Sequence, residues 1–453
     1  MRFSHSTSAV SRALGLLGIA VALAGGCAEE VDGPTPAVSG LEPSLVCPEQ
    51  LVTEILLTGE RLSPLAIDAA TDDPLLAIPD VELRRVQNLE GGSVSDEYVL
   101  IPNDPQNPGA ARVRWLSTTS MAFEVYPELG LEPGAYEIRV TNRNGKEATF
   151  EMSLAVVPSP TVDTVEPDLI CNEQEAQTVT ITGTGFIAIR DAGSDLLPTV
   201  SIGDEDFTPE SATDCVAIAA TTLDAERCTT LSIVIPTSVT LEGEQPVTVT
   251  NPEPANCSSD GSTDVFFVAA PVIDAIDPDS ICDQDQPDSL LVTGSGFLRI
   301  DDGAGGLTDP TITLDTTPVA VTFDAADCTP FTSTVTNGEV CTAFTLPLSS
   351  TLALGAHTVE ITNPAPADCS DSADFYIVSA PTITDVQPPK VCADGDEFTV
   401  WGTGFTEGSV ILLDGTPVPT TYVDVDQLTG TIEAGFTAGE YIVTVSNGTD
   451  CVS

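Results

Sequence analysis

Four times along its 453 residues this chain repeats one ordered set of marks. The stretches "PAVSGLEPSLVC", "PTVDTVEPDLIC", "PVIDAIDPDSIC" and "PTITDVQPPKVC" each set two prolines seven residues apart, with a cysteine four residues after the second. The positions are Pro36, Pro43 and Cys47; Pro160, Pro167 and Cys171; Pro271, Pro278 and Cys282; Pro381, Pro388 and Cys392. An alternating run then ends in a glycine motif: "TGTGF" at Thr182–Phe186, "TGSGF" ending at Phe297, "GTGF" ending at Phe405, and a worn "LTGERL" ending at Leu62. A second alternating run closes each copy on Asn142, Asn251, Asn363 or Asn447. Three ordered blocks in four copies make the chain four homologous domains in series.

The modules are built from strands. Val179 and Ile181 alternate with Thr178, Thr180 and Thr182, and Ile138 and Val140 alternate with Glu137 and Arg139. Short β-branched runs of period two, broken by Gly, Pro and Asp, mark half-buried antiparallel strands. Helical periodicity is absent beyond the N-terminus, and roughly 110 residues of such strands is the size of one β-sandwich. The paired glycines raise the question of a phosphate loop. No helix follows them and no Lys or Ser stands where such a loop needs one. They are read as a bend with φ > 0, after which Phe186, Phe297 and Phe405 turn into the sandwich.

The order of these marks, clearest in "VWGTGFTEGSVILLDGTPVP" followed by "AGEYIVTVSNG", resembles the IPT/TIG family of immunoglobulin-like domains. The resemblance covers nearly everything after residue 35. It is weakest in the first copy, where Arg61 and Leu62 replace Gly-Phe. It implies an all-β fold of four tandem immunoglobulin-like (IPT/TIG) β-sandwiches after a lipoprotein-type signal peptide. Members of the family serve in receptors, transcription factors, bacterial surface proteins and starch-acting enzymes, so the fold does not supply the function. The expected divisions are a signal peptide at 1–26, a lipid-anchored tether at 27–35, and domains at 36–158, 159–269, 270–379 and 380–453. The last ends "CVS" where copies two and three continue into "STDVFFVAA" and "SADFYIVSA". Its final strand is therefore expected to be lacking, which marks either a fragment or an edge open to a partner's strand.

The first residues carry Arg2 and Arg12 before an apolar run to Gly26, without an acid, as an export signal does. "LAGGC" resembles a bacterial lipobox with Cys27 as the lipidated residue, and Ala28 after it favours the outer membrane and cell surface. Cysteine usage fits an oxidising compartment. Copies two and three hold four cysteines each, and copy four keeps the first and last of that set. The expected pairs are Cys171–Cys257, Cys282–Cys369 and Cys392–Cys451 across each domain, with Cys215–Cys228 and Cys328–Cys341 inside an insertion that copy four lacks. Cys47 is left over, as a buried free thiol or a link to another chain. The absence of Cys-x-x-Cys and the near absence of His speak against zinc.

A net charge of −55 repels nucleic acid and anionic lipid headgroups. Acidic loops at "RDAGSDLLP" and "RIDDGAGGLTDP" offer Asp191, Asp195, Asp301, Asp302 and Asp309 as calcium candidates, without the spacing of a 12-residue calcium loop. "DQDQPD" at 283–288 is a further acidic cluster. Arg61, Arg84, Arg85, Arg112, Arg114, Arg139, Arg143 and Lys146 gather in the first copy, as a docking face near the membrane or as drift in a divergent copy. The one histidine beyond the leader, His357, shares parity with Val359 and Ile361, so it is read as structural filling. No catalytic residue is assigned and the chain is read as a non-enzyme without cofactor. Linkers such as "VVPSPTVDTVEP" carry proline and no Gly/Ser spacer, so they are stiff. Four sandwiches of roughly 35 Å in line would project on the order of 140 Å. The function expected is a surface lipoprotein acting as a rigid acidic stalk for adhesion or protein-partner binding. The alternatives are a glycan or polysaccharide-binding module, which two tryptophans support poorly, and an accessory part of an extracellular enzyme system.

Overall fold

The computed structural model describes residues 33–66, 76–103, 110–171, 174–190, 193–348, 351–392, 395–447 and 451–453. The leader, Cys27 and Asp191 lie outside these residues.

In the second copy the run "QTVTITGTGFIAI" forms one strand, Gln177–Ile189, with Val179 and Ile181 buried and the threonines between them outward. It pairs antiparallel with Thr161–Glu166 on one side and with Ala225–Ile235 on the other, and Ala225–Ile235 carries Ser211–Thr213 at the far edge. The facing sheet runs in the order Leu169–Cys171, Thr263–Val268, Gly243–Thr250, Thr199–Ile202, Glu205–Phe207. The two inner faces close over a core that includes Phe186, Leu231, Val247, Val249 and Phe267. Copies one and three repeat this plan around their own cores. In copy four the second sheet has three strands among the described residues: Thr416–Pro417, Val410–Leu413 and Val443–Ser446.

The first repeated block is where the chain changes sheet. Thr161–Glu166 belongs to one sheet and Leu169–Cys171 to the other, and the crossing falls at Pro167. The peptide bond before Pro167 is cis, as are those before Pro43, Pro278 and Pro388. The short segment after it runs parallel to the last strand, Leu169 beside Phe266 and Cys171 beside Val268. The first and third copies do the same, with Val46 beside Val156 and Cys282 beside Val378.

The second and third repeated blocks are two halves of one contact. At Gly183 the strand passes so close to its neighbour that a Cβ would stand 2.0 Å from the Thr161 carbonyl oxygen. Gly185 then takes φ 75°, and Phe186 turns fully into the core. This bulge leaves backbone groups unpaired in a buried place. Asn251 satisfies them: its Nδ2 donates to Gly185 O at 2.8 Å and its Oδ1 accepts from Ile187 N at 2.9 Å. Asn363 does the same for Gly296 O and Leu298 N, each at 2.9 Å. In the worn first copy Asn142 still donates to Arg61 O at 2.9 Å and accepts from Ser63 N at 3.1 Å. Arg61 holds the left-handed conformation itself, φ 58°, where glycine stands elsewhere, and Leu62 fills the phenylalanine's place.

Candidate functional site: the stapled junctions

Each sandwich has an upstream pole facing the preceding module and a downstream pole facing the next. Cys171 lies beside Val268, the end of the last strand, so it sits at the downstream pole. Cys257 lies 3.8 Å from the Pro158 carbonyl, just before the first strand, so it sits at the upstream pole. A disulfide needs Cα atoms within about 7 Å. The expected pair Cys171–Cys257 would have to span the whole sandwich, and the structure does not form it.

The bonds run between modules instead. Cys47 joins Cys257, Cys171 joins Cys369 and Cys282 joins Cys451, with Cα separations of 6.1, 6.0 and 5.0 Å. This corrects all three long pairs expected above, Cys171–Cys257, Cys282–Cys369 and Cys392–Cys451. It also reverses the assignment of the spare thiol: Cys47 is buried and bonded, and Cys392 is free and exposed. Cys215–Cys228 and Cys328–Cys341 are bonded inside their own modules, across Cα distances of 3.9 and 4.0 Å.

Those inner pairs brace the insertions that seal the junctions. The insertion of module two brings Ile218 and Leu223 against Leu45, Cys47 and Val157 of module one, beside Cys257. Its Thr222 N donates to Ser44 Oγ at 2.9 Å, and Ser44 Oγ also meets Thr221 Oγ1 at 2.9 Å. The insertion of module three reaches back in the same way. Phe331 stacks on Phe266 of module two at 5.0 Å, and Thr334 N donates to Glu244 at 2.6 Å. The Thr334 hydroxyl also donates to the Glu244 carboxylate, with Asp264 Oδ2 2.9 Å from the same oxygen. These donors hold the Glu244 carboxyl below its ordinary value, the Thr334 hydroxyl first.

A glutamine three residues after the staple cysteine completes each of these two junctions. Gln50 Nε2 donates to Ser258 O at 2.6 Å and its Oε1 accepts from Ser258 N at 2.9 Å. Gln174 makes the same pair of bonds with Ser370. Burying Leu45 and Leu169 in apolar contacts adds about 1.5–3 kcal/mol each. The third junction is plainer. Module four has no insertion, and Asp285 stands where the glutamines stand. Among the described residues no buried apolar cluster spans it. The Cys282–Cys451 bond holds it, with Ala380 N donating to Asp283 Oδ1 at 3.4 Å.

The remaining sequence candidates are dispersed. Asp195 pairs with Arg190, and Asp309 with Arg299 at 2.7 Å. Asp301 and Asp302 accept from the amides of Gly303, Ala304 and Gly306 in their own turn. The four described calcium candidates thus do not converge on one point: two are committed to guanidinium groups and two to backbone. Six of the cations of module one pair with its own acids, as Arg84–Glu137, Arg85–Asp96, Arg112–Glu124, Arg114–Glu54, Arg139–Glu82 and Arg143–Asp80.

His357 is structural. Its Nε2 bonds Ala353 O at 2.8 Å, its Nδ1 bonds Asp315 at 2.6 Å, and its ring stacks on Phe375. Burial alone would lower its pKa, but the two acceptors outweigh burial and raise it. Tyr136 and Tyr441 occupy the same slot and donate to Glu132 O and Thr437 O, 2.7 and 2.8 Å, four residues upstream. This is a tyrosine-corner geometry of the kind immunoglobulin-like sandwiches use. Burial pushes the Tyr136 phenol up to about 12. Beside the first junction an open cleft of about 440 Å³ lies between the turn at Asn88–Gly91 and the strand at Val216–Ala217, with Arg227 at its wall.

The family model of the IPT/TIG domain matches residues 381–453, the fourth module. No curated protein matches the chain. Among solved structures, the plexin A4 extracellular region is 12% identical, covering 92% of this chain and 37% of that one, with a TM-score of 0.22. The N-terminal eight immunoglobulin domains of Down syndrome cell adhesion molecule are 11% identical over 92% of this chain and 48% of that one, TM-score 0.22. A Bacteroides ovatus protein of a mixed-linkage glucan utilization locus, solved with a heptasaccharide, is 12% identical over 83% and 86%, TM-score 0.18. The chain thus spans less than half the length of the plexin and cell adhesion molecule chains. These are likenesses of fold alone.

Proposed function

We propose that this chain, a tandem array of immunoglobulin-like sandwiches whose fourth module matches the IPT/TIG domain model, is an exported rigid stalk that carries an acidic adhesive or partner-binding surface away from the cell. The observation that carries this reading is the ladder of disulfides from each module to the next. Disulfides within a sandwich would stabilise each bead. Disulfides between sandwiches fix the angle between beads, which matters when a protein works by reach and direction. Such bonds persist outside the reducing cytosol. Cys27 supplies the anchor in this reading, at the outer membrane. The charge of −55 keeps the stalk from folding back onto an anionic surface.

The test replaces both cysteines of every junction by serine and compares the variant with a deletion strain. The expected result is a variant that is exported with its sandwiches folded, yet attaches to surfaces or partner cells as poorly as the deletion strain. Attachment equal to the parent's would refute the stalk. A glycan-binding role is the second reading, favoured by the indole of Trp401, which stands 41% exposed on its strand. Retardation of the chain in gels containing soluble polysaccharide, lost in Trp401→Ala, would support it.

A further inference from the structure

Cys392 is the fourth member of a set whose other three members are all bonded. Cys47, Cys171 and Cys282 each lie four residues after the sheet-crossing proline, at a downstream pole. Each takes a cysteine that follows the strand-terminal asparagine at the upstream pole of the next sandwich: Cys257 after Asn251, Cys369 after Asn363, Cys451 after Asn447. Cys392 holds the same sequence position in module four, four residues after Pro388, with its thiol free and exposed and its backbone N–H held by Asp396 at 2.8 Å; among the described residues no strand lies between Gln387 and Glu397 to pair as Leu169–Cys171 does. We propose that Cys392 is the attachment point for a further immunoglobulin-like sandwich, bonded through a cysteine in the loop after that sandwich's terminal asparagine.

Three repeats of the same bond in the same molecule define the chemistry of the partner. The third junction shows that the bond forms without a leucine seal and without an insertion clamp. Ser280 stands there where Leu45 and Leu169 stand in the first two, so Lys390 at the equivalent place in module four is no obstacle. A second copy of this chain does not fit the register head to tail. The loop of module one after Asn142 reads "RNGK" and holds no cysteine. The partner sandwich belongs either to the same polypeptide or to a different one. Forming the bond joins two sulfurs and releases two protons and two electrons. The electrons pass to a protein disulfide of the exporting compartment, which is reduced to a dithiol. This proposal rests on the stalk reading only for export to such a compartment.

The test uses the full-length protein isolated from its own cells in N-ethylmaleimide, which caps any free thiol. Protease digestion and mass spectrometry then follow the peptide bearing Cys392. The expected result is that this peptide is uncapped and linked to a peptide in which a cysteine follows an asparagine by four to six residues, within an immunoglobulin-like sandwich. A reduced species with the mass of the unreduced one assigns the partner to the same polypeptide, and a complex that separates into two polypeptides on reduction assigns it to another. The variant Cys392→Ser loses the link and keeps the five internal disulfides. A capped Cys392, a Cys392–Cys392 dimer, or a link to a cysteine of any other setting overturns the proposal. A stalk that still adheres with Cys392 capped sinks this bond and leaves the stalk standing.

Discussion

Replacing Asn251 by alanine tests how the repeated blocks hold each module together. Asn251 is 1% exposed, and its amide serves Gly185 O and Ile187 N, both in buried backbone. Alanine leaves one acceptor and one donor without partners where water does not reach. Each unsatisfied buried group costs about 1–3 kcal/mol, so module two should lose about 2–6 kcal/mol. Asn142→Ala removes the same kind of bonds in module one, but there the bonded carbonyls belong to Arg61 and Pro34, both exposed. Water replaces the amide at that site, and the loss should be nearer about 1 kcal/mol. The two tryptophans lie in modules one and four, so fluorescence does not report module two. Native-state hydrogen exchange of the strand Ala225–Ile235 does. Equal losses in the two variants, or a loss below about 1 kcal/mol for Asn251→Ala, would refute the claim that the asparagine closes the bulge.

Further outcomes follow from other residues. Arg61→Gly should stabilise module one by about 1 kcal/mol, because Arg61 holds a left-handed φ that glycine takes freely; the fluorescence of Trp115, whose Nε1 donates to Leu62 O, reads the change. The folded pKa of His357 lies above its ordinary 6.5, so its contribution is complete below 6.5 and is lost as pH rises through the folded value. Module three should therefore melt lower at ~pH 8.5 than at ~pH 6, and His357→Gln should flatten that difference. Asp315, held below its ordinary 3.8 because the bonds from His357 and the Thr358 N–H together outweigh burial, works in the opposite sense and weakens the module only as pH falls through its own lower value. Removing Cys282 and Cys451 together should broaden the angle between modules three and four, seen by small-angle scattering. Removing Cys47 and Cys257 should change the first junction less, because Leu45, Ile218 and the Gln50 bonds remain.

The sandwiches were legible because their signals are local. Period-two runs, paired glycines and terminal asparagines each act within a few residues, and the fourfold repeat marks the module. The parity of His357 likewise placed it inward. The contact between Asn251 and Gly185 joins two blocks that the sequence displays separately, so their partnership appears only in three dimensions. The disulfide ladder was hidden by arithmetic. Pairing within modules leaves Cys47 over and pairing between modules leaves Cys392 over, so the counts alone decide nothing. The deciding fact is that the chain changes sheet at Pro167 and lays Cys171 beside Val268, away from Cys257. One signal did point toward the junctions. The insertion between Cys215 and Cys228 carries Val216, Ile218 and Leu223, more apolar surface than a solvent loop needs.

Joined neighbours, one covalently fixed to the next, are the core of this account. Digestion of the folded chain without reductant, followed by mass spectrometry of the linked peptides, tests it most directly. The linked peptides should join Cys47 with Cys257, Cys171 with Cys369 and Cys282 with Cys451. Finding Cys171 with Cys257 and Cys282 with Cys369 would contradict it, and would leave four separate beads where a single spine is described.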